Sequence, residues 1–114
     1  MDGAELILLY DYYGALLTDR QRECFELRYD QDLSLGEIAL ELGISRQGVH
    51  DNLTRTEALL RNMEAKTGCV SRDRRCRDAA HKILALADRL DCGNDPGLRE
   101  AADAIRALAR ELEE

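Results

Sequence analysis

Apolar residues recur at the three-and-four spacing of helices in six successive stretches of this chain. Leu6, Leu9, Tyr10, Tyr13, Leu16 and Leu17 set the buried side of a first helix, predicted over residues 4–17. A second follows at once. Thr18 and Gln21 form a capping box, each side chain satisfying the other's backbone donor, and Cys24, Phe25, Arg28 and Tyr29 carry the pattern to its end. Residues 30–33 make a short polar connection. Ser34 and Glu37 form another capping box, and Leu35, Ile38, Ala39 and Leu42 give one buried stripe to a short helix. Gly43 ends it, because glycine takes the left-handed conformation without a Cβ clash. Ser45 caps the next helix, whose inward positions are Val49, Leu53, Thr56, Leu60 and Met63, and Gly68 breaks the pattern.

A short helix, a glycine turn and a longer helix are the grammar of a helix-turn-helix. The first helix braces the second so that its N-terminal residues can enter a DNA major groove. Ser45, Arg46, Gln47, His50, Thr54 and Arg55 point away from the predicted core and are the candidate nucleic-acid-binding residues. Their side chains suit base edges and phosphates. Asp51, among them, sets a negative charge close to where phosphates would lie.

Beyond residue 70 the pattern changes. Cys76, Ala80, Ile83, Ala87 and Leu90 alternate steps of four and three, and Leu98, Ala102, Ile105, Ala109 and Leu112 repeat the stepping after a break at Asp91-Cys92-Gly93-Asn94. Asp95 followed by Pro96 is a good helix start. Two heptad-like helices with a short loop predict an antiparallel hairpin. Its seams are short and rich in Ala, so the hairpin is marginal alone and should pack on the N-terminal bundle or on a second copy of itself. The arginines at 72, 74, 75 and 77 read as a solvated helix face or as an RNA or phosphate patch. The expected fold is all-α: a four-helix bundle containing the helix-turn-helix over residues 1–68, then a two-helix extension over 69–114 that serves packing or dimerisation.

Composition supports an all-helical chain built on aliphatic packing, with 45% apolar residues, 4% aromatic and a single Pro in 114. No apolar run approaches the roughly 20 residues that span a bilayer, and no export signal is visible, so no membrane insertion is expected and the predicted address is the cytoplasm. Cys24, Cys69, Cys76 and Cys92 form no C-x-x-C pair, and His50 and His81 complete no metal site; idle thiols are the expectation, with no metal and no cofactor. The formal charge is −7. Residues 1–67 carry seven Lys and Arg against thirteen Asp and Glu, a balance that runs against the basic surface usual in nucleic-acid binders.

The run from Leu17-Thr18-Asp19-Arg20-Gln21-Arg22 through Leu27-Arg28-Tyr29, Leu33-Ser34, Glu37-Ile38-Ala39 and Leu42-Gly43-Ile44-Ser45 to Val49, Leu53 and Arg55 resembles region four of bacterial sigma factors, which binds promoter DNA with its last helix. More narrowly, residues 9–18, 33–39 and 45–53 resemble the YlxM family of small bacterial helix-turn-helix proteins. That resemblance covers residues 6 to 67. It implies a cytoplasmic regulatory protein linked to the signal recognition particle pathway, since YlxM genes commonly neighbour the gene for that particle's GTPase, with DNA binding inferred from the fold.

Two readings stand at this point. One is a DNA-binding regulator, acting as a homodimer through its C-terminal helices. The other is an acidic adaptor that binds a signal recognition particle component, its GTPase or RNA, and not DNA; the charge of the first 67 residues would steer it to a basic partner. An enzyme is not expected. The chain has no phosphate loop, no paired ligand spacing and no nucleophile with a base, so no catalytic residue is assigned.

Overall fold

The computed structural model describes residues 3–113 and holds six α-helices among them: α1 (Gly3–Tyr13), α2 (Asp19–Tyr29), α3 (Leu35–Leu42), α4 (Arg46–Thr67), α5 (Cys69–Leu90) and α6 (Pro96–Glu113). The protein is all-α over this range. It divides into two compact units, the first ending at Val70 and the second beginning at Ser71, so the first two residues of α5 belong to the first unit.

Local chemistry sets the helix ends of the first unit. The Thr18–Gln21 and Ser34–Glu37 capping boxes both form, each with side chain and backbone bonded reciprocally. The bonds from Ser34, backbone first and hydroxyl second, hold the Glu37 carboxyl below the usual carboxylate range. Gly43 ends α3 at φ 69°, in the left-handed region, and Ser45 Oγ accepts from the Gly48 N–H to start α4.

Two apolar clusters hold these helices. One gathers Leu6, Leu9, Tyr13, Leu17, Phe25, Leu60 and Val70, with Tyr10, Tyr29 and Met63 packed against it. The other gathers Cys24, Ile38, Ala39, Val49 and Leu53. Phe25 is sandwiched, its ring centroid 4.4 Å from Tyr10 and 4.5 Å from Tyr29. Thr56 is fully buried, and its hydroxyl donates to the carbonyl of Asn52, so the inward polar group is satisfied. Burial also pushes the Cys24 thiol up, which keeps it protonated and inert; all four cysteines are free.

The first helix departs from expectation. It ends at Tyr13, and residues 14–16 continue as a 3₁₀ turn. Leu16, placed on the buried side by its spacing, is 71% exposed. The tighter turn breaks the 3.6-residue phase, so of the two leucines expected inside only Leu17, in an extended conformation, enters the core. A Cβ on Gly14 would meet the Tyr10 ring at 3.0 Å, so glycine here lets that ring lie against the turn and reach Phe25.

The tyrosines carry a pH signature. Burial, aided by the hydrogen bond to Glu26, pushes the Tyr10 phenol up to about 12, and burial also raises Tyr13 and Tyr29. A phenol raised above its unfolded value near 10 contributes stability that is complete below that value and lost as pH climbs toward the folded one. Stability is therefore expected to hold up to about pH 10 and fall between about 10 and 12, in step with the rise of tyrosinate absorbance. Full tyrosine ionisation near pH 10 with helicity intact would contradict this packing.

The second unit is an antiparallel pair. His81 Nδ1 lies 3.5 Å from Glu113 Oε1, and Arg106 on α6 bonds Asp88 at 2.8 Å and Asp91 at 3.1 Å. Arg99 reaches Asp91 at 3.4 Å across the loop. Ala80, Ala87, Ala102 and Ala109 are buried between the helices, while Cys76, Ile83 and Ile105 are half-buried. Three expected seam residues are not enclosed: Leu90, Leu98 and Leu112 are 45%, 46% and 49% exposed. An alanine seam makes a narrow contact line, and leucines to one side of it stay in water.

Candidate nucleic-acid interface

The α3–turn–α4 element is braced from below. Ile38 and Ala39 of α3 pack against Val49 and Leu53 of α4, and Cys24 of α2 fills the space beneath them. With the inner side fixed, the outer side follows from helix geometry. Ser45, Arg46, Gln47, His50, Thr54 and Arg55 are all exposed.

At 100° per residue, Gln47, His50 and Thr54 share a ridge, while Arg46 and Arg55 fall on opposite flanks, about 180° apart and about 14 Å along the axis. A helix seated in a major groove roughly 12 Å wide would turn that ridge to the base edges and one arginine to each phosphate wall. Arg61 falls on the line of the ridge itself, about two turns beyond Thr54, and Lys66 on the Arg55 flank, so the four cations of α4 do not form one strip.

Asp51 has a role that its charge alone did not reveal. Its Oδ1 accepts from Gln47 Nε2 at 2.9 Å and lies 3.6 Å from His50 Nδ1. One of the six candidate side chains, Gln47, is thus held by this carboxylate, with His50 beside it. The four-residue spacing of Gln47 and Asp51 was the available signal.

Charge is divided between elements. Residues 1–45 hold ten Asp and Glu against three Arg, whereas α4 holds four basic residues against three acidic. Of those three, Glu57 accepts from the Tyr29 hydroxyl, and Glu64 accepts from the Tyr13 hydroxyl and the Val70 N–H. Asp51 is the one acidic residue in the first three turns. Much of the negative charge lies instead along a groove of about 550 Å³ beside α1 and α2, lined by Asp11, Asp19, Glu23 and Glu26. Among the described residues no group of three or more His, Cys, Asp or Glu gathers as a metal site, and no helix is long and apolar enough to cross a membrane.

The UPF0122 family, described as a helix-turn-helix protein, YlxM / p13 like, matches residues 2–91 of this chain. A UPF0122 protein of Thermoanaerobacter sp. (strain X514) is 46% identical over 110 residues, covering 96% of this chain and 92% of the relative. One from Geobacillus kaustophilus is 43% identical over 107 residues, covering 93% and 89%. One from Desulforamulus reducens is 42% identical over 102 residues, covering 89% and 87%.

Proposed function

This chain belongs to the UPF0122 family of YlxM/p13-like helix-turn-helix proteins, and on that premise we propose that it is a regulatory protein that binds DNA through α4. One observation carries the reading: the first three turns of α4 present an exposed polar ridge with an arginine on each flank, on a helix fixed from behind by α3. Arg46 and Arg55 take phosphates; Gln47, His50 and Thr54 face the bases; the Ser45 cap sets where the helix begins. A single module of this kind binds weakly, so two copies act together. The family resemblance adds the expectation of a role in the signal recognition particle pathway, and that particle's RNA and GTPase are the first alternative targets to assay.

Binding to mixed-sequence duplex DNA is expected at low salt, weakening as salt rises. Arg46→Ala and Arg55→Ala should each flatten the log–log salt slope by about one unit. Asp51→Asn should do the opposite to affinity, because it removes the carboxylate that repels phosphate and holds Gln47. No DNA binding at low salt, together with capture of the particle's GTPase, would replace this reading with the adaptor.

A further inference from the structure

We propose that two copies of the chain pair through one face of the α5–α6 hairpin, forming a four-helix bundle in which each α5 lies against the α6 of the other copy. This rests on the two-copy part of the reading above and gives it a surface and an arrangement; it does not depend on what α4 binds.

The face comes from a second apolar stripe on each helix. On α5, Ala79, Ile83, Leu86 and Leu90 step by four, three and four, turned about 80° from the Ala80–Ala87 seam. On α6, Leu98, Ala101, Ile105, Leu108 and Leu112 lie about 70° from the Ala102–Ala109 seam, in the same sense. Antiparallel helices are related by a local two-fold normal to their common plane. Equal offsets therefore place both stripes on the same side of the hairpin. Leu86, Leu90, Leu98, Leu108 and Leu112 are 55%, 45%, 46%, 64% and 49% exposed, so five leucines line one face. The other face is polar, with Arg77, His81 and Asp88 on α5 and Arg99, Asp103 and Arg110 on α6.

Two helices joined through alanines bury little, and a hairpin of this size gains stability by pairing its open face. Monomers rarely leave so large an apolar surface in water. Charge then selects the arrangement. The outer rim of the α5 stripe carries Arg75, Lys82 and Arg89, seven residues apart, against one acidic residue, Asp78; the outer rim of the α6 stripe carries Glu100 and Glu111. Two arrangements bring the faces together with every neighbouring helix antiparallel. A two-fold along the helices sets α5 over α6 of the other copy, and a two-fold across them sets α5 over α5. The second brings basic rim to basic rim. The first brings Lys82 level with Glu111, since Asp88 with Arg106 and His81 with Glu113 fix the hairpin register; Arg89 and Glu100 lie on the same rim about five residues apart, about 7.5 Å along the axis. Opposite charges at such flanking positions determine pairing in helical bundles.

Light scattering and sedimentation on the full chain test this. The wild type should run at twice the chain mass in the micromolar range. Leu86→Glu with Leu108→Glu should raise the dimer dissociation constant at least about 100-fold with helicity unchanged, since both side chains are exposed within one copy. Lys82→Glu should weaken the dimer about tenfold, and adding Glu111→Lys should restore it to within about threefold. A monomeric wild type, a leucine variant that still dimerises, or charge reversal without effect or rescue would each overturn the proposal. Arg46→Ala/Arg55→Ala should dimerise like the wild type, so loss of nucleic-acid binding and loss of the dimer are read separately.

Discussion

Phe25→Ala should lower the unfolding free energy of the first unit by about 3–5 kcal/mol, the largest single-residue effect expected in this protein. Phe25 is 1% exposed and sits between the rings of Tyr10 and Tyr29, with Leu6, Leu9 and Leu60 in the same cluster. Removing the ring takes away the stacked contact with Tyr10 and the tilted one with Tyr29, and leaves a cavity that relaxed neighbours fill only in part. A unit of some 70 residues typically holds about 4–10 kcal/mol, so the variant should be partly unfolded at growth temperatures. Urea titration followed by circular dichroism measures the loss. A change under about 1 kcal/mol would mean that the aromatic stack does not hold α1 to α2 as described.

The second large effect belongs to Ile38, which is fully buried between α3 and the start of α4. Ile38→Ala should cost about 2–5 kcal/mol. Amide exchange should locate the damage, with α3 and the first turns of α4 opening before α1 and α2. Nucleic-acid affinity should fall too, although Ile38 has no surface to offer a ligand, because the ridge of Gln47, His50 and Thr54 is only as well placed as the helix beneath it. Wild-type stability in this variant would remove the bracing role given to α3.

Much of the helix-turn-helix was legible in the residues. The capping boxes at Thr18 and Ser34, the left-handed Gly43 and the Ser45 cap are contacts between groups three or four residues apart, and such contacts form wherever the helix forms. The inward set Val49, Leu53, Thr56 and Leu60 is buried as its spacing required. The outward direction of the six candidate residues follows from that same spacing. What they hold was less legible: the four-residue spacing lets Gln47 reach Asp51, but whether the bond forms depends on rotamers as well as on period.

The pattern of residues by itself determined the six-helix order, the turn at 43 and the inner side of α4, because local hydrogen bonds and a 3.6-residue period require only neighbours. Tertiary packing decided the rest. Of two leucines expected inside, Leu17 stays in the core and Leu16 is turned out where the chain tightens after Gly14, and Tyr13 finds Glu64 across 51 residues of chain. Alanines, being small, let α5 and α6 close on a line too narrow to cover their leucines. Those outcomes depend on which surfaces meet, and a one-dimensional period carries no record of a surface's partner.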